Sequence, residues 1–147
     1  MIWWLMALGA PFVVAAWLRR TFVVVTVWGQ SMSPTLLPNE RVLVRRAPLA
    51  RVRRGDIVIL RSGEEDPGAA RRSDLARSWI IKRVLAAPGD VLPKGEVPSL
   101  ADAPEDRVPP GRLVVIGDNP ARSTDSRTRG YFAGEDLLGV MVRKMAR

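Results

Sequence analysis

The 147 residues are 47% hydrophobic and 26% charged, with a formal charge of +8, a balance that excludes both a disordered tail and a multi-pass channel. The length suffices for one domain plus a short accessory segment, since a chain of about 150 residues removes roughly two thirds of its unfolded surface on folding. Cysteine and histidine are both absent, which excludes thiol proteases, Cys/His zinc centres and any Ser-His-Asp triad, and leaves hydroxyls, carboxylates, amines and backbone groups to do any chemistry.

In chain order, the first element is Ile2 to Leu18, seventeen residues without a charge, close to the minimum for a helix crossing a hydrocarbon core of about 30 Å. Trp3, Trp4 and Trp17 sit near its ends as interfacial aromatics do, and Arg19 and Arg20 mark its exit. A cleavable leader calls for positive charge before the apolar run. The sequence begins Met1-Ile2, so an uncleaved membrane anchor over residues 1–20 is expected. A buried core helix is the alternative, and Pro11 and apolar residues on every face count against it.

After residue 20 the pattern changes to short Val- and Ile-rich runs: Phe22 to Val27, Val42 to Val44, Ile57 to Leu60, Trp79 to Leu85, Leu113 to Ile116 and Leu138 to Val142. Turn chemistry bounds each run, for example Pro38-Asn39, Arg54-Gly55-Asp56, Pro88-Gly89-Asp90 and Pro110-Gly111. A mainly β domain of antiparallel strands over residues 21–147 is the expectation. Residues 62–78 and 93–110 are polar and rich in Pro, Gly and Ala, and are read as surface loops or a small excursion from the sheet.

Between the first two runs, Gly29-Gln30-Ser31-Met32-Ser33-Pro34-Thr35-Leu36 gathers hydroxyls at a strand exit, where a turn can present a serine with its N–H free for an oxyanion. Residues 1–54 hold eight arginines against one acid, Glu40. Arg41, Arg45, Arg46, Arg51, Arg53 and Arg54 suit anionic headgroups, a nucleic-acid backbone or plain solvation.

Without histidine, a serine nucleophile needs another base, and a lysine qualifies only where burial favours the neutral amine. Of the three lysines, Lys94 lies beside a proline and a glycine and Lys144 in a basic C-terminus, so both are expected in water. Lys82 lies within Trp79-Ile80-Ile81-Lys82-Arg83-Val84-Leu85, where strand alternation groups it with Ile80 and Val84 and sends Ile81 and Arg83 to the other face. Spacing alone leaves open whether it is a base or a strand lysine reaching out to water.

Ser31-Met32-Ser33-Pro34-Thr35-Leu36, Arg54-Gly55-Asp56-Ile57-Val58, Ile81-Lys82-Arg83 with Pro88-Gly89-Asp90, and Gly117-Asp118-Asn119 with Ser123-Thr124-Asp125-Ser126-Arg127 resemble, in order, the boxes of the type I signal peptidases. These are membrane-anchored Ser/Lys endopeptidases that remove signal peptides from exported precursors. The resemblance spans residues 27 to 140 and implies a short member with a signal-peptidase-like antiparallel β domain. It implies Ser31 as nucleophile, Lys82 as general base and Ser123 as the hydroxyl holding the amine in line, with no metal or organic cofactor. The oxyanion would be met by the Ser31 N–H and a second donor from the Gly29-Gln30 backbone or elsewhere, because a serine found in some members is Gly29 here. Arg83 with Asp118, and Arg127 with Asp125, would brace the site. Val27, Met32, Leu36, Ile80 and Ile81 match the shallow pockets behind an Ala-x-Ala preference, and Trp28 departs from the small or proline residue usual in the family. Ser33 falls at a variable position before Pro34.

The implied partners are precursors with signal peptides and membrane lipid, without nucleic acid. The implied location is a single-pass cell-membrane protein with its catalytic domain on the extracytoplasmic side. Arg19-Arg20 after the span favour the reverse orientation, although long domains translocate largely regardless of charge. Two other functions fit parts of the chain. A self-cleaving repressor-type Ser/Lys peptidase shares Gly-x-Ser-Met and the lysine but not the anchor or the Ser-x-Asp-Ser-Arg box. A membrane-tethered basic β module binding anionic lipid or nucleic acid would use the arginine cluster, but three of the five tryptophans fall in the anchor run, leaving few aromatics for base stacking.

Overall fold

The computed structural model describes residues 13–62 and 79–145. Residues 13–21 are helical, and the apolar side chains Val13, Val14, Trp17 and Leu18 on this stretch are exposed. Most of the expected anchor, residues 1–12, lies outside the described residues. Among the described residues no helix is long and apolar enough to cross a membrane.

Among the described residues from 22 onward there are seven strands: β1 (Phe22–Thr26), β2 (Arg41–Arg46), β3 (Ile57–Arg61), β4 (Trp79–Ala86), β5 (Arg112–Ile116), β6 (Phe132–Ala133) and β7 (Leu137–Lys144). They make one sheet in the order β1-β2-β7-β3-β4-β5-β6, and all pairs are antiparallel. The six Val/Ile runs of the sequence fall on six of these strands. The seventh, β6, is two residues long and carries no alternation that a sequence pattern can register.

Alternation decides which side each strand buries. In β3, Val58 and Leu60 face a cluster with Val84, Leu113, Val115 and Phe132. Ile59 faces the opposite cluster, with Val27, Met32, Leu36, Val42, Val44 and Ile81. Register shifts at Leu43/Val44, Ile59/Leu60 and Val84/Ala86 interrupt three ladders, and such bulges bend strands and increase their twist. The sheet accordingly curls, and the segment leaving β1 packs onto β3 and β4 although β2 and β7 separate them in the hydrogen-bonded order.

Residues 93–110 leave the sheet and pack as a small unit. Val97, Leu100 and Val108 are buried with Leu85, Leu92 and Val114, and Val91 bridges Arg107. Of the predicted loop at 62–78, only Ser62 is described.

Leu36 is wholly buried where the chain leaving β1 meets the sheet. Truncating it leaves a cavity, so Leu36→Ala is expected to cost about 2–5 kcal/mol in urea unfolding.

Candidate active site

The segment after β1 is a closed loop. Val27 N–H donates to the Glu40 carbonyl at 2.8 Å and Asn39 N–H to the Val27 carbonyl at 2.9 Å, pinning its two ends together. Within it, Ser33 N–H bonds the Gln30 carbonyl and Leu36 N–H the Met32 carbonyl, a tight turn that carries Ser31 near its start. Gly29 enters this turn at φ +79°, a left-handed conformation that glycine adopts without steric cost. Among the described residues, no acceptor takes the Ser31 N–H.

The Ser31 carbonyl accepts from Asn119 N–H at 2.9 Å, tying the turn to the segment that follows β5. Gly117 lies at this junction. A Cβ there would stand 2.6 Å from the Ser31 carbonyl oxygen and collide with the Ser123 side chain, so only glycine lets the two segments come together.

Lys82, on β4 opposite Val58, is only 4% exposed. Its Nζ donates to Ser123 Oγ at 2.9 Å, and Ser123 Oγ donates its single proton to Asp125 Oδ2 at 2.6 Å. The direction of this relay is thereby fixed: Asp125 consumes the Ser123 proton, so the Ser123 oxygen faces Lys82 as an acceptor.

Asp125 has no solvent exposure and caps the helix Ser126–Arg129, accepting from Arg127 N–H. It also receives Gly117 N–H at 2.8 Å and the Arg127 guanidinium at 3.0 and 2.5 Å. Burial pushes its carboxyl up, but the bonds from Arg127, Gly117 and Ser123 outweigh this and hold it below the ordinary aspartate value. Asp118 is held low as well, chiefly by Arg83 and with help from the Thr35 hydroxyl, against the opposing effect of burial. Arg83 grips it through two parallel bonds of 2.8 and 2.6 Å, the fork geometry that suits a carboxylate. Asp118 therefore joins β4, the end of β5 and the Ser31 turn.

Ser31 and Lys82 line one cleft of about 390 Å³. Trp28, Gly29, Gln30 and Ile80 contribute one side. Arg122, Thr124 and Arg129 come from the connection after β5, and Ser62 from the end of β3. Val27, Met32 and Leu36, matched to specificity pockets in the sequence, are 2%, 1% and 0% exposed and lie beneath the site in the core. Ile81 lines a separate apolar groove of about 410 Å³ with Val25, Trp28 and Trp79, on the face opposite Ile80 and Lys82. Lys94 and Lys144, expected in water, are paired at the surface with Asp106 at 3.4 Å and Glu40 at 3.3 Å. Among the described residues, no group of three or more carboxylates is arranged to hold a metal ion.

Sequence reading missed several members of the site. Gly117 reads as a turn glycine, and nothing local reports what approaches it. Ser126 is fully buried, and its Oγ accepts the Val115 N–H at 2.9 Å. Arg122 and Arg129 carry no pattern that marks them as cleft residues, and Thr124 lies within the Ser123 to Arg127 box without an assigned role.

Across its length the chain matches the family described as signal peptidase, peptidase S26, over residues 1–93 and 93–145. The chain belongs to that family. It is 28% identical over 165 residues to signal peptidase I P of Bacillus subtilis subsp. natto, covering 92% of this chain and 82% of that protein. It is 30% identical over 144 residues to signal peptidase I of Leptolyngbya laminosa, covering 84% and 69%. It is also 27% identical over 135 residues to a Staphylococcus aureus (strain Mu50) protein named inactive signal peptidase IA, covering 82% and 78%. As a peptidase S26 member the protein is a serine endopeptidase, a hydrolase of peptide bonds. The family includes a protein named inactive, so catalytic competence depends on the side chains of the individual member.

Two outcomes test the bracing of the site. Gly117→Ala forces apart the Ser31 and Ser123 segments, and a loss of thermal stability and of activity together is expected. Asp125 has a lowered carboxyl, so the unfolded chain binds more protons below about pH 4 and the stability this group contributes is lost as pH falls through its native value. Asp125→Asn is therefore expected to cost about 3 kcal/mol near pH 7, with the gap to wild type narrowing in melting curves as pH falls below the ordinary aspartate value.

Proposed function

We propose that this signal peptidase is a membrane-anchored enzyme that cleaves signal peptides or propeptides of exported proteins after small residues, by acyl-enzyme chemistry at Ser31 with Lys82 as general base. The observation that carries this reading is the buried Lys82 amine, hydrogen-bonded to Ser123 in the same cleft as Ser31. A buried amine loses the hydration that favours its protonated form.

In the first half of the reaction, Ser31 Oγ attacks the scissile carbonyl carbon and its proton passes to Lys82 Nζ. The negative charge that develops on the carbonyl oxygen is met by the Ser31 N–H, with a second donor from the Gly29-Gln30 backbone. Lys82 then returns the proton to the leaving nitrogen, the C–N bond breaks, and the new N-terminus departs while the acyl group stays on Ser31. In the second half, Lys82 takes a proton from water, the hydroxide attacks the ester, and the proton returns to Ser31 as the acid product leaves. Ser123 is a positioning residue throughout: its proton is committed to Asp125, so it accepts one amine N–H and helps to aim the nitrogen lone pair.

The substrate lies extended along the free edge of β1, in the groove shared by Val25, Trp28, Trp79 and Ile81, so that alternate side chains reach the enzyme. Ile80 meets the residue beside the scissile bond, and Val27, Met32 and Leu36 form the floor that keeps that pocket shallow. Trp28 borders both the groove and the cleft and narrows the passage, which favours small side chains. Residues 1–20 form the anchor, 21–147 the catalytic domain, and that domain works on the extracytoplasmic side. Neither metal nor organic cofactor enters the cycle, and no nucleic acid is a partner.

Purified protein in detergent, given a precursor with a small-x-small site, tests this reading. Ser31→Ala and Lys82→Met are expected to lose cleavage while circular dichroism stays unchanged, and equal turnover by wild type and Ser31→Ala overturns the assignment. Ser123→Ala is expected to lower kcat by about 10²-fold, within the range of general-base contributions, with little change in KM. The acidic limb of its kcat profile is expected to move to lower pH, because the lost acceptor stabilised the protonated amine more than the neutral one.

A further inference from the structure

Arg122 and Arg129 line the Ser31/Lys82 cleft and have no part in the chemistry above. Other arginines near the site are neutralised in place: Arg83 by Asp118 and Arg127 by Asp125. Among the described residues, neither Arg122 nor Arg129 is in an ion pair, and no acidic side chain lines this cleft. Among the described residues, both arginines therefore bring positive charge to the cleft without an acidic partner in its lining.

Their backbones are fixed. Arg122 ends the single turn Pro120–Arg122, and its neighbour Ser123 is held by Lys82 and Asp125. Arg129 ends the helix capped by Asp125, which Gly130 N–H closes onto the Ser126 carbonyl. The Arg129 guanidinium lies 5.3 Å from the Phe132 ring centroid, a contact that orients a cation without cancelling its charge. On its far side Arg129 also borders two further cavities, one lined by Glu105 and Arg112 and the other by Asp136, Arg61 and Arg112. Both arginines are exposed, so their attraction for an opposite charge is modest and falls as salt rises.

We infer that Arg122 and Arg129 are specificity determinants that select substrates carrying a carboxylate side chain close to the scissile bond. The inference rests on the peptidase reading above and deepens it by naming a substrate class. An anionic lipid headgroup is the competing ligand, but these two arginines line the cleft itself and stand apart in sequence from the arginine cluster at 41–54.

The test uses full-length protein in detergent and small-x-small peptides with Glu or its isostere Gln scanned through three positions on either side of the cleavage site. Two quantities are read: kcat/KM with wild type, and Kd by anisotropy with Ser31→Ala. At one position Glu is expected to exceed Gln by about threefold to tenfold at low salt, with the advantage shrinking in high salt. The Glu/Gln ratio is expected to approach one in Arg122→Gln/Arg129→Gln and to fall below one in Arg129→Glu. Arg122→Gln alone, at an exposed side chain without a described partner, retains the fold and should show a reduced ratio. A ratio of one at every position in both readouts overturns the inference. If wild type cleaves no peptide, the peptidase reading fails and the Kd ratio still decides whether the cleft selects a carboxylate. Loss of binding to phosphatidylglycerol vesicles by the double variant, with its Glu/Gln ratio unaltered, also overturns the inference and assigns the pair to lipid.

Discussion

The Asp125 carboxylate, shut away from water, accepts from Gly117 N–H, the Ser123 hydroxyl, Arg127 N–H and the Arg127 guanidinium. An ionised carboxylate at zero exposure survives only when donors of this number and charge replace its water. Each donor is thereby positioned in turn. Gly117 is drawn to the Ser31 carbonyl, the helix Ser126–Arg129 acquires its cap, and the Ser123 proton is aimed away from Lys82. The hydrogen-bond polarity seen at the amine follows from a charge one residue further along the relay.

A second carboxylate does for the framework what Asp125 does for the relay. Asp118 grips Arg83 of β4 with both oxygens and receives Thr35 of the Ser31 turn. Ser31 and Lys82 belong to elements that are not neighbours in the sheet, and their meeting depends on curling of the sheet and on these polar ties across the gap. Apolar packing of Met32 and Leu36 against Ile59 and Ile81 seals the join from beneath. On the proposed reading, the same packing keeps the substrate pocket shallow, so one set of core residues serves stability and specificity together.

The cleft is electrostatically asymmetric. The β1–β4 side offers Trp28, Gly29 and Ile80, whereas the connection after β5 offers Arg122, Thr124 and Arg129. A peptidase relying only on small apolar pockets discriminates weakly, since one methylene is worth about 1–3 kcal/mol. On the inferred reading, Arg122 and Arg129, without an ion-pair partner among the described residues, add a recognition element of different chemistry, independent of pocket depth.

Much of this protein was legible in the order of its residues. The Val/Ile runs set six strands because alternation and turn residues act locally, and the absence of histidine and cysteine restricted the chemistry before any motif was considered. The ordered boxes selected Ser31, Lys82, Ser123, Asp118 and Asp125 with their arginines. Tertiary structure alone decided that Val27, Met32 and Leu36 lie in the core beneath the site, that residues 93–110 pack around Val97 and Leu100 as a unit, that Gly117 must lack a side chain, and that Arg122 and Arg129 face the cleft. Each depends on what a distant segment brings alongside. Bulges and sheet curl set that proximity, and it leaves no periodic trace in the chain.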